Sequence, residues 1–407
     1  MKMVTRTGTA DGIDLADPAF WERPQSDRLA AFARLRQLDF PAYFTEGRGG
    51  FHALVSHRDV VEANRNAAVF TSGAGVTTPR PPRWVRFAFG DSMVNLDDPD
   101  HARLRAIVAK AFTPRVVARI AEDVRHTAAE VVDEVVRRGP DDFVTQVAAQ
   151  LPFRVICTMM GIPHEYRREV LDQVNHTTGR DGRRRLPVPG RSLIALARLH
   201  RVVGRVGRER RRRPTDDLIS ALVTADADGR RLTGRELGSF FSLLLVAGVE
   251  TTRNTIAHGL RLLTHHPEQR ALLYADFDAH IGGFVEEVVR YASPIIQFRR
   301  TVARDHTLNG TPLRTGDEVV LFYAAANRDE TVFTNPDTFD LTRTPNPHVG
   351  FGGGGPHFCL GTALARQEIT VLFRELCTRL PEIRCVGEPE LVASNFDNRV
   401  ARMRFTF

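Results

Sequence analysis

The chain has 407 residues, 42% of them hydrophobic and 26% charged, so it has a globular composition and is long enough to bury a large core. Its four cysteines include no CxxC pair, which argues against a structural zinc site, and they are too few for a disulfide framework. Since no apolar run reaches the length of a bilayer and no signal-peptide core stands at the N-terminus, we expect a soluble, cytoplasmic protein without a membrane span.

The formal net charge of +7 comes almost entirely from arginine, because Lys2 and Lys110 are the only lysines. We interpret this charge as ordinary solvated surface, with a docking patch for an acidic protein as the alternative. The arginine-rich run at 208–213 would suit nucleic acid, but no groove-reading motif accompanies it. We therefore predict a solvated helix end there and no nucleic-acid partner.

The first half of the chain predicts mainly helices. Apolar spacing indicates helices at 26–37, where Ser26 is a plausible N-cap, and at 59–66, with short strands at 42–44 and 51–55. Residues 71–95 form a loop rich in Gly, Pro and Thr, and loops of this length are usually functional. Further helical patterns cover 99–138, 142–160, 164–176 and 192–212, with an arginine-rich break at 179–191.

The second half contains the longest helical pattern, at 234–264, which is apolar nearly all round and therefore expected at the centre of the fold. Helices at 267–292 and about 360–379 follow, and the last 25 residues alternate like strands. We predict a single mainly α domain spanning 1–407, with β-rich portions near 40–56, 295–322 and 383–407.

His101 and Arg105 stand four apart in the segment DDPDHARLR at 97–105, so they share one helix face. Cationic and hydrogen-bonding side chains of this kind can hold a ligand's carboxylates. Taken alone, the pair is better explained as a surface feature.

Glu250 and Thr251 lie in the segment AGVETT at 247–252, inside the long apolar helix. Burying such groups without partners costs several kcal/mol, so they need an explanation. A threonine can bond back to the preceding turn and Gly248 can loosen it, which predicts a local distortion of the helix. The alternatives are a simple irregularity or a site for acid chemistry.

Glu287 and Arg290 are three apart on a predicted helix and can form a salt bridge. The spacing alone is weak evidence, because surface helices contain it often.

The segment HVGFGGGGPHFCLG at 348–361 places a cysteine just before a predicted helix. Gly352 to Gly355 permit backbone angles closed to other residues, and Gly361 permits close approach of a flat group. The positive end of the following helix favours a thiolate at Cys359. The alternatives are an ordinary turn and a phosphate-binding loop, but the Lys and Ser/Thr of a phosphate-binding loop are missing.

This last segment resembles the haem-binding loop of cytochromes P450. The residues that carry the resemblance are Phe351, Gly352, Gly355, His357, Cys359, Gly361, Ala365 and Arg366. The Ala-Gly-x-Glu-Thr segment at 247–251 adds to the resemblance. The resemblance extends over essentially the whole chain, from Trp21 to the last strand. Phe351 and Cys359 are eight positions apart, one more than in the commonest bacterial form. This spacing is similar to that of an actinobacterial branch that includes hydroxylases of sterol side chains and branched lipids.

The resemblance implies a cytochrome P450 fold and haem b (iron protoporphyrin IX) bound through Cys359. It implies that Glu250 relays protons, that Thr251 steadies dioxygen, and that Arg343 joins Glu287 and Arg290 in a structural network. The implied haem-contacting residues are His101, Arg105, Ala247, Gly248, Arg300, His348, Phe351, Gly352, His357 and Gly361. The implied substrate pocket comprises Trp84, Val85, Phe87, Phe89, Leu243, Val246, Ala247, Ile295, Ile296 and Phe396.

The implied activity is a monooxygenase that inserts one oxygen atom from dioxygen into a lipophilic substrate. Electrons would come from NAD(P)H through a ferredoxin and its reductase, to a monomeric enzyme. The loop at 180–191 either steers an anionic end of the substrate or is a solvated lid. The alternatives are a peroxide-driven oxidation, a desaturation or a rearrangement on the same haem, and a non-catalytic haem-binding sensor, although no output domain is visible.

Overall fold

The computed structural model describes residues 12–47, 49–78, 80, 92–111, 114–177, 189–224 and 232–407. The chain divides into two compact units. The first unit comprises Met1–Arg80, Glu268–Leu360 and Ala393–Arg399, and the second comprises Pro81–Pro267, Gly361–Val392 and Val400–Phe407.

Helices dominate the described residues. In chain order the α-helices are α1 (Pro18–Trp21), α2 (Gln25–Arg36), α3 (His57–Arg65), α4 (Asp100–Ala111), α5 (Pro114–Arg138), α6 (Gln150–Met159), α7 (His164–Thr177), α8 (Pro189–Arg212), α9 (Leu218–Thr224), α10 (Gly234–Leu244), α11 (Thr251–His265), α12 (Pro267–Ala275), α13 (Phe277–Ala292), α14 (Tyr323–Ala326) and α15 (Thr362–Arg379). A 3-10 turn covers Met93–Asn95, and π-helical turns cover Val144–Ala148 and Leu245–Glu250.

The strands are short. They are β1 (Tyr43–Glu46), β2 (Gly49–Leu54), β3 (Phe70–Thr71), β4 (Gln297–Val302), β5 (His306–Leu308), β6 (Thr311–Leu313), β7 (Glu318–Phe322), β8 (Arg384–Cys385), β9 (Glu390–Leu391), β10 (Val400–Arg402) and β11 (Phe405–Thr406).

The first unit is built on a five-stranded sheet in the order β1-β2-β7-β4-β3. Strands β2 and β7 run parallel, whereas the other neighbours run antiparallel. One apolar cluster contains the rings of Trp21, Phe32 and Phe322, and the Trp21 and Phe322 rings stack with centroids 6.1 Å apart. A second cluster contains Leu54 and Phe70. The two clusters bury both faces of the sheet and fix β4, which carries the predicted Arg300.

The second unit is a helical assembly. Helix α15 packs against α5, α6 and α11, and α8 packs against α7, α9 and α10. The predicted long central helix is present as α10, the π-helical turn and α11, which continue without a break from Gly234 to His265. Among the described helices, none combines the length and the apolar character that crossing a bilayer requires.

Two local predictions were wrong. The N-cap of α2 is Pro24, without a side-chain hydrogen bond, so Ser26 lies inside the first turn and bonds to Asp27 instead. The single helix predicted at 267–292 is two helices, because Asp276 leaves helical geometry and its carboxylate accepts the Ala279 N–H at 3.0 Å as the cap of α13.

Candidate active site

The loop that presents Cys359 is closed by its own backbone. The Cys359 N–H donates to the Phe351 carbonyl at 2.9 Å, and the Gly352 N–H donates to the Val349 carbonyl at 2.8 Å. The Cys359 side chain is exposed and forms no disulfide. The Cys359 thiol is therefore held at the end of a tight turn, two residues before Gly361, the N-cap of α15.

The glycines of this loop serve two purposes. Gly352, Gly354 and Gly355 have φ values of 97°, 91° and 78°, as predicted, whereas Gly353 does not have a positive φ. A Cβ at Gly353 would lie 2.9 Å from the Cα of Val61. Gly353 is therefore required by a close approach to helix α3 and not by its own conformation.

Helix α3 supports the loop from one side, which the sequence did not indicate. A Cβ at Gly355 would lie 2.2 Å from the Asn64 carbonyl oxygen, and Arg65 Nε donates to the Gly353 carbonyl at 3.1 Å. The buried Asn64 side chain accepts a hydrogen bond from Tyr323 at 3.1 Å. The end of α3 and the loop thus form one tightly packed element.

Glu287 and Arg290 pair as their spacing predicted, and Arg343 joins them as the resemblance implied. Both Glu287 and Arg290 are fully buried, and two Arg290 nitrogens donate to the Glu287 carboxylate at 2.7 and 2.8 Å. Arg343 Nε lies 3.2 Å from each Glu287 oxygen. The remaining Arg290 donors reach the carbonyls of Asn327, Pro336 and Thr338, so the network fastens the segment that leads to the cysteine loop.

Asn327 joins this network to the cysteine loop and was missed at the sequence level. Its side chain is fully buried, accepts the Val349 N–H at 2.8 Å and donates to Ser293 Oγ at 2.9 Å. Ser293 ends α13 with a φ of 43°. No local pattern marks such a residue, because all of its partners are distant along the chain.

Arg300 and His357, two predicted carboxylate partners of the haem, lie in the same region of the first unit. Strand β3 pairs with β4 through Thr71 and Thr301, so Ser72 stands one step further along the ladder, beside Arg300. Ser72 Oγ is 3.2 Å from His357 Nε2. The Arg300 guanidinium is buried over the Phe298 ring, where it keeps a fixed direction.

His348 has a different role from the one predicted. Its Nε2 lies 2.9 Å from a Glu286 carboxylate oxygen, and its Nδ1 accepts the Gly350 N–H at 3.1 Å. Both ring nitrogens are thus engaged within the first unit, so His348 is better explained as a brace for the loop than as a partner of a haem carboxylate.

In the second unit, the predicted distortion of the central helix is confirmed. Leu245–Glu250 form a π-helical turn, and Thr251 Oγ1 donates to the Ala247 carbonyl at 2.6 Å. A Cβ at Gly248 would lie only 3.1 Å from Ile156 of α6, so a glycine eases the packing of the widened turn. Turns of this kind are frequent at functional sites.

Arg253 is a partner of Glu250 that the sequence analysis did not single out. The two side chains form an ion pair, and Glu250 and Arg253 are 4% and 1% exposed. A pair this buried holds its carboxylate in one place, because either charge alone would be costly in the interior. The i, i+3 spacing that identified Glu287 and Arg290 would also have found this pair.

The central helix has one accessible strip. Leu243, Val246 and Thr251 are partly exposed and Ala247 is exposed, whereas Leu245, Val249 and the following turns of α11 are buried. These residues recur at helical spacing and therefore share one face. Small and apolar side chains at this face leave room for a ligand.

His101 and Arg105 are neighbours on α4. His101 is buried with its Nδ1 3.5 Å from an Asp98 carboxylate oxygen. Burial and the positive charge of Arg105 lower the pKa of His101. The imidazole is therefore neutral near pH 7 and able to donate one hydrogen bond.

The predicted pocket residues separate into four groups. The accessible strip carries Leu243, Val246 and Ala247. Four predicted pocket residues lie outside the described residues: Trp84, Val85, Phe87 and Phe89. The same is true of 180–188 in the predicted 180–191 loop. Ile295 and Phe396 are partly buried, and the Phe396 carbonyl accepts the Ile296 N–H at 2.8 Å. Ile296 is 2% exposed and belongs to the apolar cluster around Trp21, and its place in the substrate pocket stays a prediction.

Glu368 on α15 is a buried acid that the sequence did not distinguish. It is 2% exposed, and its Oε1 has no hydrogen-bond partner within the described part of the chain. Burial raises the pKa of Glu368 to about 8. The side chain is therefore a neutral acid near pH 7.

Each unit, taken by itself, fits the haem that the resemblance implies. The first unit has an exposed thiol at Cys359 that forms no disulfide, a buried guanidinium at Arg300 and a partly buried imidazole at His357. The second has the accessible strip and open space at Gly361, where nothing lies within 4 Å of the position a Cβ would occupy. In the first unit these features suit a sulfur ligand for iron and partners for a carboxylate, and in the second they suit a flat apolar group.

Comparisons with known proteins agree with this chemistry. The family model described as Cytochrome P450 matches residues 198–379. A methyl-branched lipid omega-hydroxylase of Mycobacterium tuberculosis is 42% identical, over 97% of this chain and 95% of the relative. A steroid C26-monooxygenase of Mycobacterium bovis is 35% identical, over 96% of this chain and 91% of that protein.

Solved structures give the same picture. A cytochrome P450 of Mycobacterium marinum in complex with pseudoionone is 42% identical, with a TM-score of 0.91 over 98% of this chain and 99% of that chain. A Bacillus megaterium protein crystallised with testosterone is 29% identical, with a TM-score of 0.81 over 93% of this chain and 98% of that chain. The predicted fold is confirmed by these neighbours.

Proposed function

This chain belongs to the cytochrome P450 family and is a monooxygenase, and from that premise we propose that it hydroxylates a branched aliphatic lipid or sterol-like substrate with electrons from a ferredoxin. The observation that carries the proposal is the π-helical turn at Leu245–Glu250, where Thr251 bonds back to Ala247 and Glu250 is held by Arg253. Burying these polar groups does not stabilise an apolar helix, so the arrangement needs another explanation. A hydroxyl beside a carboxylate suits the delivery of protons.

The family's cofactor is haem b, which supplies oxygen activation when it is bound. Cys359 would be its thiolate ligand, since the loop leaves this sulfur exposed. Arg300, His357, His101 and Arg105 would donate to its carboxylates. The other residues predicted to contact it are small or lie in the loop: Ala247, Gly248, Phe351, Gly352 and Gly361.

Thr251 and Glu250 would manage protons. The Thr251 hydroxyl donates to Ala247 in the resting arrangement, so a rotation about χ1 would turn its proton toward the accessible face of the helix. Glu250 lies one residue earlier and would resupply that hydroxyl through water. Arg253 would position the Glu250 carboxylate and keep it from leaving the turn.

The substrate class rests on the accessible strip and on the relatives. Leu243, Val246 and Ala247 present apolar atoms with no charge among them. The relatives named above act on a methyl-branched lipid and on a steroid at C26. A terminal carbon of a branched apolar chain is therefore the proposed site of oxidation.

Electrons would come from NAD(P)H through a ferredoxin reductase and an acidic ferredoxin. Phe358, next to Cys359, is 37% exposed, and Arg65 is an exposed cation bonded to the same loop. An apolar centre beside positive charge suits a transient acidic partner. The absence of disulfides among the four cysteines favours a reducing, cytoplasmic location, and we propose a single catalytic domain acting as a monomer.

The test is the coupling of NADH oxidation to product. With a reconstituted ferredoxin system and a branched lipid substrate, Thr251→Ala should keep consuming NADH while the product formed per NADH falls by about tenfold or more. Thr255→Ala is the matched control, because Thr255 Oγ1 makes the same back bond, to Thr251 O at 2.8 Å, one turn later. Thr251→Ser should retain coupling. Unchanged yield in Thr251→Ala would refute the role of this hydroxyl.

A further inference from the structure

One helix carries a net positive charge equal to that of the whole chain. The whole sequence has 56 basic and 49 acidic residues, a difference of +7. Helix α8 alone carries eight arginines and one acidic residue, Glu209. Its own net charge is therefore also +7. The formal charges of all residues outside α8 therefore sum to zero. The net charge of the chain equals the net charge of this helix.

Five of these arginines form a stripe on the outer face of α8. They are Arg198, Arg201, Arg205, Arg208 and Arg212, and all five are exposed. Their spacing of three and four residues keeps them on one side of the helix, over about 21 Å of its length. Val202, Val203 and Val206 on the opposite side are buried.

Most of the stripe is without an ion pair among the described residues. In the described part of the chain, no ion pair engages Arg198, Arg201, Arg208 or Arg212. Arg205 donates to Tyr166 Oη at 3.0 Å, which directs it without cancelling its charge. By contrast Arg210, which lies off the stripe, is bound to Asp217 at 2.6 Å and has a structural role.

We propose that this stripe, the α8 stripe, docks the enzyme on the surface of an anionic lipid bilayer. Clusters of four to eight basic residues on a helix are typical of binding to acidic lipids, and guanidinium groups match phosphate in charge and shape. Ile194, 55% exposed, lies one helical turn before Arg198 on the same face and would meet the headgroup region. The buried valine face means that the helix rests on the membrane and does not insert.

Two other occupants fit the stripe less well. A specific protein partner needs an apolar or aromatic centre, and the stripe offers one isoleucine at its end. An α-helix fills the width of the DNA major groove. A helix that enters the groove therefore cannot have other helices packed along its sides. Helix α8 is packed along its length by α7, α9 and α10. A flat anionic surface requires only the exposed line of charge.

This inference rests on the proposed function for its purpose, because a lipid substrate partitions into membranes and an enzyme held there meets a higher concentration of it. The binding itself does not depend on turnover. Each arginine near an anionic surface contributes about fivefold in affinity, and salt screens the attraction. Loss of three should therefore weaken binding by about a hundredfold.

The experiment is co-sedimentation of the full-length, haem-loaded enzyme with vesicles. Phosphatidylcholine alone is compared with phosphatidylcholine mixed with phosphatidylglycerol, at low and at raised NaCl. The stripe variant is Arg201→Gln/Arg208→Gln/Arg212→Gln. The matched control is Arg137→Gln/Arg138→Gln/Arg304→Gln, which removes three exposed arginines elsewhere, again without ion pairs among the described residues.

The wild type and the control should sediment with the acidic vesicles only, in a salt-sensitive way, and the stripe variant should lose about a hundredfold in affinity. Equal binding by the stripe variant, equal binding to neutral vesicles, or binding to duplex DNA in place of vesicles would each overturn the proposal. Product formation from dissolved substrate separates the two ideas: stripe-dependent binding without any product contradicts the proposed function and leaves the docking intact.

Discussion

Arg253 and Glu250 form an ion pair within an otherwise apolar helix, where both charges have left water. Such a pair gains little over two apolar residues, but removing one partner leaves an isolated buried charge. The pair is therefore better explained as a way to hold a carboxylate beside Thr251 than as a source of stability.

Replacing Arg253 with methionine should lower the free energy of unfolding by about 3–5 kcal/mol, because Glu250 is left without its cation. The double variant Glu250→Gln/Arg253→Met should recover most of that loss and still show poor coupling of NADH to product. Urea unfolding of the haem-loaded variants measures the first effect. Equal stability of Arg253→Met and the wild type would show that the pair is not formed.

The sequence identified the residues whose chemistry is unusual for their surroundings. Glu250 and Thr251 stood out as polar groups in an apolar helix, and Cys359 stood out beside its glycines. Asn327 and Asn64 did not, because an asparagine in a loop or at a helix end is ordinary until its partners are known. Their partners lie far along the chain, and no local pattern encodes them.

At the scale of elements, the cysteine loop depends on α3. Two loop glycines are fixed by the backbone of that helix, and Arg65 bonds to a loop carbonyl 288 positions away. The loop therefore cannot hold its shape by its own hydrogen bonds alone. Its rigidity comes from packing between two distant segments of the first unit.

Gly355→Ala should be far more harmful than an ordinary glycine substitution. The new Cβ would meet the Asn64 carbonyl at 2.2 Å in addition to the strain of a φ of 78°. Gly310→Ala is the control, because Gly310 has a φ of 85° and nothing within 4 Å. We expect a loss of about 1–2 kcal/mol for the control and at least twice that for Gly355→Ala, with poor haem loading. Equal losses would contradict the role of α3.

Element boundaries show where the sequence was insufficient. The apolar pattern continues through 267–292, so it predicted one helix, but the Asp276 carboxylate competes for backbone donors and starts a second. Ile296 was predicted in the pocket by position, and the structure adds that it belongs to the same apolar cluster as Trp21 and Phe322. A strand was predicted here and β4 is present. Which face of the strand each side chain occupies depends on tertiary packing, which the local sequence does not encode.

For the molecule as a whole, Glu368 links stability to pH. The folded chain raises its pKa from the ordinary 4.5 to about 8 by burial, so the folded state keeps a proton that the unfolded chain releases. The stability contributed by this protonated group is complete below pH 4.5 and is lost as the pH rises through about 8.

Wild-type stability should therefore fall between pH 5 and pH 8 by roughly 3–4 kcal/mol more than that of Glu368→Gln, which cannot ionise. Urea midpoints of both proteins at the two pH values measure the difference. Parallel pH profiles would mean that Glu368 is not buried as an acid.

The fold as a whole was predictable because the cysteine segment and the Ala-Gly-x-Glu-Thr segment occur together in the order the family requires. The distribution of charge was not. From the sequence, a net charge of +7 suggested an ordinary surface, and the three-dimensional arrangement is needed to see that the free arginines of α8 share one face.

The central claim is that Cys359 holds the haem iron as a thiolate, and carbon monoxide tests it most directly. The reduced protein under carbon monoxide should absorb at about 450 nm, as thiolate-ligated haem does, and Cys359→Ala should abolish that band. Cys377→Ala should leave it unchanged. A wild-type protein without the band, or a Cys359→Ala protein that keeps it, would contradict the account.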